Sequence, residues 1–414
     1  GPAAASTGAR RPLPAARGAK ARRRRRGVAR QAAGAAGAQA AAAAGEALGR
    51  VLVLGGGIIG VSVAYHLALR GVRSTVVDHA GIASCASGKA GGFLARDWND
   101  RGPLRDLARK SFAMHEDLAK TLRLASYRRL TCKSVAVAGA LRKPGVRKLE
   151  GVEWADLGAE RERSMGDEET IAQVHPGELT QAMWAAAQEK AGSEFLLGTV
   201  NEVLVEGEGD DRRVTGALVS GARVPAQVVV LCMGPWAQVL NLLEPRVRVY
   251  GQKCHSVLMR TRRILSQAVF FSGMGNPEVY PRNNGENYIT GFPDPAVVVN
   301  EPPGNVLVRD DVCERLVGTM RKVSSDMRDA EVTGKQSCYL PLTADTFPAM
   351  GALASHRGAY VCAGHGCWGI LNSLASGLGM SELIIDGVAT SVDLRPFCPQ
   401  RLFNAGEPEW APSV

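Results

Sequence analysis

The sequence predicts an α/β fold built on a Rossmann-like nucleotide-binding unit, with α+β excursions inserted into it. Three observations carry that expectation. Residues 51–78 lay out a complete βαβ unit, a second apolar run at 226–234 ends in glycine, and a third at 359–366 enters a glycine turn ahead of a helix-like stretch. The chain is therefore expected to visit one sheet three times.

In the first unit, Val51 to Leu54 is apolar throughout, as suits a strand buried on both faces, and it runs into Gly55-Gly-Gly57-Ile58-Ile59-Gly60. Gly55 permits the tight turn, Gly57 lets a pyrophosphate approach bare backbone, and Gly60 lets the helix pack close to the strand. The helix continues through Ala64 and Leu67 and stops at Gly71; a strand from Ser74 to Val77 then ends on Asp78. That acid lies about 20 residues beyond the turn, where a carboxylate can accept both hydroxyls of an adenosine ribose. Val51 to Leu69 carries no charge and approaches the length of a membrane span. Its three consecutive glycines, with Ser62, Tyr65 and His66, argue against a lipid-facing helix.

Further along, Ser84 to Gly92 is a small-residue loop rich in backbone N–H groups, read as a second phosphate or flavin contact through Ser87, Gly88, Gly91 and Gly92. Residues 104–124 read as a helix and 130–138 and 146–153 as short strands. A helix is expected over 174–190, where Pro176 stands near its start. Alternating strands follow at 199–206 and 213–220, then the buried strand ending at Gly234. Residues 246–335 form a second excursion, with a hairpin over 279–290 around an Asn-Gly turn, and a helix closes the pattern near 370–386.

Composition bounds the rest. With 414 residues, 45% hydrophobic and 22% charged, the chain can bury more than one core. The net charge of +10 is local: residues 1–45 hold ten basic side chains, including the run Arg22 to Arg26, and no acid, while the remaining forty Lys and Arg match all forty Asp and Glu. The folded body is thus neutral, and no nucleic-acid partner is expected for it. The acid-free Arg/Ala-rich segment resembles an organelle transit peptide, for chloroplast or mitochondrion, and is excluded from the fold; a nuclear address, a polyanion-binding arm and a cytoplasmic location are the alternatives. Nine scattered cysteines without a C-x-x-C pair suit a reducing compartment and predict no metal site.

Taken together, GGGIIG, ASGKAGG, HPGEL, VVLCMGPWA, YGQK, CYLPLTADTFPAMG and AGHGCWGILNS, in this order over about residues 50–390, resemble the FAD-dependent oxidoreductases of the D-amino-acid oxidase, glycine oxidase and sarcosine oxidase family, and within it a eukaryotic oxidoreductase branch. The resemblance implies a GR2-type FAD-binding domain interrupted by a mixed-sheet substrate domain. It divides the chain into a tail at 1–48, an FAD-binding domain at 49–125, 170–236 and 336–395, a substrate domain at 126–169 and 237–335, and a C-terminal tail at 396–414. It implies that FAD lies along Gly55, Gly57, Ile58, Ile59, Gly60 and Asp78 at its ADP end. Ser87, Gly88, Gly91, Gly92, Gly234, His365, Gly366 and Trp368 then surround the flavin.

Two departures stand out. Where family members that oxidise amino acids carry an arginine before the proline of the CYLP-like segment, this chain has Leu340, and where the sarcosine-oxidase pattern has a lysine after the GHG turn it has Trp368. Lys253 and Arg282 are the candidate replacements from the substrate lobe, with salt bridging as the competing role, and His365 is a candidate base or a turn residue. Cys338 falls seven residues before Asp345, where some sarcosine-oxidase relatives carry the cysteine bound to flavin, or it is a buried thiol. The function implied is oxidation of a small amine or amino-acid-like substrate by hydride transfer to flavin N5, with oxygen or another electron acceptor. An NAD(P)-linked dehydrogenase and a non-catalytic FAD-binding scaffold in interaction or trafficking are the alternatives.

Overall fold

The computed structural model describes residues 48–137, 151–238 and 247–403. The transit-like segment, part of the 146–153 strand expectation and the end of the C-terminal tail lie outside the described residues.

The first stretch holds β1 (Val51–Leu54), α1 (Ile58–Leu69), β2 (Ser74–Asp78), α2 (Ala86–Lys89), β3 (Phe93–Ala95) and α3 (Arg105–Leu122). It is followed by β4 (Arg128–Arg129), β5 (Thr131–Val137), β6 (Ala159–Gly166), β7 (Ile171–Gln173) and α4 (Pro176–Ala191). Next come β8 (Glu194–Leu197), β9 (Val200–Glu206), β10 (Arg213–Val219), β11 (Ala222–Pro225) and β12 (Val228–Leu231). The second excursion supplies β13 (Tyr250–Arg260), β14 (Gln267–Ser272), β15 (Glu278–Pro281), β16 (Glu286–Gly291), β17 (Ala296–Val297), α5 (Asp310–Val323) and α6 (Ser325–Arg328). The chain closes with β18 (Glu331–Leu342), β19 (Ala349–Ala352), β20 (Ala359–Ala363) and α7 (Gly369–Asp386).

Six strands form the nucleotide sheet in the order β19-β20-β12-β1-β2-β8, parallel except for β19. Central β1 pairs Val51 with Val228 on one side and Ser74 on the other, and all four of its side chains are fully buried. That two-sided burial is why its sequence is apolar without alternation. One face packs on α1, α3, α4 and α7, and the other on the antiparallel β9-β10-β11 layer, where Val203, Val214 and Ala217 meet Leu52 and Leu231.

Helix α1 is buried on nearly every side, which accounts for its lack of charge without any membrane. Among the described residues no helix is long and apolar enough to cross a bilayer. Helix α7 approaches α1 closely at Gly377, where an added Cβ would stand 2.2 Å from Ser62 Oγ.

Eight strands make the second sheet, in the order β17-β13-β16-β15-β14-β5-β6 with β18 along the other edge of β13; the β14–β5 pair is parallel and the rest antiparallel. Its one face packs on α5 through Val257, Val269, Val279, Ile289, Leu316 and Met320. The other is turned towards the nucleotide unit. The two sheets meet where Leu342, at the end of β18, forms a β-bridge with His365.

Three local expectations are corrected. The loop at 84–92 contains a turn of helix, α2, because Gly88 lets its backbone stand against the Ala83 carbonyl, 2.1 Å from where a Cβ would lie. Residues 151–154 form a turn with an isolated bridge rather than an extended strand, and Trp154 is buried there. The beginning of the expected C-terminal tail is packed: Phe397 and Leu402 are buried and Arg401 binds Asp345 at 2.7 Å.

Candidate active site

The parallel strands β1, β2, β12 and β20 all end on one edge, and their C-terminal loops open a single cavity of about 320 Å³. An open α/β sheet presents its ligand site on that edge, where the connections diverge.

At one end stands the glycine turn. Gly55 takes φ +115° and donates its N–H to the Val77 carbonyl at 2.7 Å, and an added Cβ would lie 2.4 Å from the Cys232 carbonyl oxygen, so only glycine lets β12 end beside it. Gly60 is required by space: its Cβ would fall 2.0 Å from the Gly55 carbonyl oxygen. Gly57, with an ordinary φ of −72°, precedes α1, which has neither a capping side chain at its first position nor an acid in its first turn. Ile58 N–H donates to Ser87 Oγ at 2.7 Å, which joins the second loop to the first. The positive end of α1 is thus presented to the cavity without a side-chain carboxylate of its own.

Asp78 is fixed by backbone amides: Oδ2 accepts from Gly56 at 2.8 Å, and Oδ1 from Ala80 at 2.8 Å and Gly81 at 3.0 Å. Its carboxylate lines the cavity beside Gly57 with lone pairs to spare.

At the other end, β20 delivers Gly364, His365 and Gly366 to the start of α7, which also lacks a capping side chain and an acid in its first turn. His365 Nε2 shares a hydrogen bond with Ser376 Oγ at 3.1 Å, while its buried Nδ1 has no partner. Burial pushes the imidazole pKa down to about 3, so the ring is neutral at ordinary pH.

Of the residues singled out in the sequence, Gly55, Gly57, Ile58, Ile59, Asp78, Ser87, Gly234, His365 and Gly366 line this one cavity. Gly60, Gly88, Gly91 and Gly92 do not; they allow close packing behind it, as at Gly92, where φ is +74° and a Cβ would meet the Val174 carbonyl at 1.8 Å. Trp368 turns away into an aromatic group, meeting Trp98 edge-on at 6.1 Å.

The two candidate cations are engaged elsewhere. Lys253 Nζ holds both carboxylate oxygens of Glu301 at 2.9 Å, and buried Arg282 binds Glu286 at 2.5 Å.

Cys338 lies off the lining and hydrogen-bonds through its thiol to Cys85, which is on it. That contact raises the Cys338 pKa. Cys85, held by the Cys338 thiol and by the Gly304 N–H at 3.1 Å, falls to about 7.

Sequence reasoning missed several lining residues. Trp236 donates to the Glu301 carbonyl at 2.7 Å and closes the cavity with Tyr339, Pro302 and Pro303. Trp236 belongs to the quoted VVLCMGPWA segment and could have been found there; the two prolines gave no signal.

Comparison with known proteins bears on what this cavity holds. The family model described as FAD dependent oxidoreductase matches residues 50–383. The chain belongs to that family. It is 31% identical over 384 residues to a Schizosaccharomyces pombe protein named only as an oxidoreductase, covering 84% of this chain and 97% of the relative. It is 25% identical over 382 residues to a glycine oxidase of Geobacillus kaustophilus, covering 84% and 95%.

Among solved structures, glycine oxidase from Geobacillus kaustophilus superimposes with a TM-score of 0.70 at 23% identity, covering 86% of this chain and all of that one. L-proline dehydrogenase from P. horikoshii gives 0.68 at 18% identity, covering 85% and 97%. These likenesses establish the fold. The protein is an FAD-dependent oxidoreductase, and the nicotinamide and scaffold alternatives give way to it.

The residues fit the cofactor. Two helix N-termini without capping side chains face one cavity, bare backbone lies at Gly57, and an orphan imidazole nitrogen at His365 is available to a polar ring edge.

Proposed function

We propose that the protein oxidises the C–N bond of a small amine or amino-acid-like substrate, with FAD as the hydride acceptor at N5 and oxygen or another acceptor restoring it. The observation that carries this reading is the cavity itself, which runs from the N-terminus of α1 to that of α7 along the C-terminal edge of the parallel strands. The amides at Gly57 and Ile59, on either side of the Ile58 N–H held by Ser87, would bind the diphosphate, and Asp78 would accept the ribose hydroxyls. The start of α7 favours negative charge at the flavin end, where neutral His365 offers Nδ1 as donor or acceptor according to the role of Nε2 towards Ser376. Trp236, Pro302, Pro303, Tyr339 and Leu340 exclude water on the outer side. No side-chain base is demanded if the amine reacts in its neutral form.

The test is an absorbance spectrum of the purified protein before and after acid precipitation, followed by anaerobic addition of amines and amino acids. FAD that acid releases, and that an amine bleaches in the intact protein, supports the reading; colour retained in the pellet points to covalent attachment through a cysteine, Cys85 on the lining or Cys338 behind it. Bound FAD that no amine, amino acid or hydroxy acid reduces would overturn it. Delivery to a chloroplast or mitochondrion is proposed from the acid-free segment at 1–45, and a fluorescent fusion of that segment tests it.

A further inference from the structure

The face of the second sheet that looks towards the nucleotide unit is aromatic and carries an acid that no cation among the described residues answers. Glu278 on β15 stands opposite Phe270 on β14 and Thr290 on β16. Tyr280, two residues on and so on the same face, stands opposite Tyr288, and its hydroxyl donates to the Glu278 carboxylate. The Tyr280 ring is held between two others, Phe93 at 5.1 Å and 17° and Tyr288 at 5.8 Å and 9°. Phe270 meets it edge-on at 5.7 Å, and Trp98 carries the group from Phe93 at 5.2 Å to Trp368 at 6.1 Å.

This group lies directly behind the cavity lining, to which neither Glu278 nor the rings around it belong. Trp368 closes the turn Gly366–Trp368 that opens α7, and its neighbour Cys367 is a lining residue. On the opposite side Ala90 lines the cavity, and at Gly91 a Cβ would stand 2.2 Å from the Tyr280 ring and 2.9 Å from that of Tyr288.

The charges point one way. Burial raises the Glu278 pKa above the usual carboxylate range, and its described partner is a hydroxyl, not a cation. Arg282 and Lys253 are neutralised by Glu286 and Glu301, and among the described residues no lysine or arginine lines the cavity. A half-buried carboxylate without a counter-charge among the described residues, set among π faces, recovers lost solvation by taking up an ammonium group. The same surroundings repel a second carboxylate.

We propose that Glu278 anchors the ammonium group of the substrate and takes up its proton to leave the neutral amine that reacts, and that the substrate is an amine with no carboxylate on its nitrogen-bearing carbon. The proposal rests on the amine-oxidising reading above and narrows it. Tyr280 orients the Glu278 carboxylate, and the rings of Phe93, Trp98, Phe270 and Trp368 shield the site from water.

Two ammonium compounds that cannot be oxidised test it: tert-butylammonium and 2-aminoisobutyrate, which differ by one methyl exchanged for a carboxylate and have no hydrogen on the carbon bearing nitrogen. Calorimetric titration of the FAD-loaded protein is expected to show tert-butylammonium binding at least tenfold more tightly. Glu278→Gln, with FAD content unchanged, is expected to lose at least tenfold of that affinity. Equal or tighter binding of 2-aminoisobutyrate, binding of neither, or an unaltered affinity in Glu278→Gln overturns the proposal. The comparison of the two probes in the unaltered protein needs no variant to fold. Failure of the broader reading has a different signature, bound FAD that no amine reduces, whatever the calorimetry gives.

Discussion

Ser87 Oγ accepts the backbone N–H of Ile58 at 2.7 Å, so the loop after β2 is fastened to the N-terminus of α1 by a buried hydrogen bond between residues 29 apart. The bond satisfies one of the N–H groups that a helix start leaves unpaired. Ser87→Ala is expected to cost about 1 kcal/mol of stability and to lower the melting temperature by roughly 2 °C, with FAD binding weakened several-fold. Thermal unfolding and FAD titration of the variant check both; an unchanged FAD affinity would show that the loop does not form the site.

Gly57 and Gly60 separate two uses of glycine in one turn. Gly57 has φ −72°, and its Cβ would have only Ser87 Oγ, at 3.2 Å, within 4 Å. Gly57→Val is therefore expected to fold and to lose FAD, because the branched side chain fills the approach to the backbone. Gly60→Ala drives a methyl to 2.0 Å from the Gly55 carbonyl oxygen and is expected to destabilise by about 2 kcal/mol or more. Circular dichroism with flavin absorbance separates the outcomes; undiminished FAD in folded Gly57→Val would sink the assignment.

Three buried imidazoles set the response to acid. Burial lowers the pKa of His66 and His115 to about 4 and that of His365 to about 3. Below the unfolded value of about 6.5 the unfolded chain binds protons that the folded chain refuses, so stability falls as pH drops from about 6.5 towards these folded values. Each group contributes a slope of up to about 1.4 kcal/mol per pH unit in that window, and none above it. Urea unfolding between pH 7.5 and 4.5 measures the slope. His115→Gln should flatten it by about one proton; a slope unaffected by the substitution would mean that His115 is protonated in the fold.

Arg401 holds the end of the described chain to the loop before β19. Its guanidinium binds Asp345 at 2.7 and 3.1 Å and the carbonyls of Phe347 and Pro348 at 2.7 and 3.1 Å. This pairing keeps the Asp345 carboxyl below its usual range against the opposing effect of burial. Arg401→Ala is expected to destabilise by about 1 kcal/mol, since it removes a two-pronged ion pair and the donor to the Pro348 carbonyl, while Thr343 and the Phe347 N–H still hold Asp345. A chain ending at residue 394 should be less stable still through loss of Phe397 and Leu402 from the core. Denaturant midpoints check both, and no change in either would restore the reading of 396–403 as a tail.

The sequence by itself determined the nucleotide unit. Gly55, Gly57, Gly60 and Asp78 act through contacts along 28 consecutive residues, and the all-apolar β1 and β12 record their two-sided burial wherever they sit in the chain. The glycine turn at 364–366 was legible for the same local reason. Only the tertiary structure decided which charges are free. Lys253 and Glu301 are 48 residues apart and Glu278 is brought to the Trp368 turn by sheet register, so neither the neutralised cations nor the unanswered acid has a local signature. Backbone turns are encoded by the residues that make them, whereas the net charge of a site is a sum over strands that meet only in the fold.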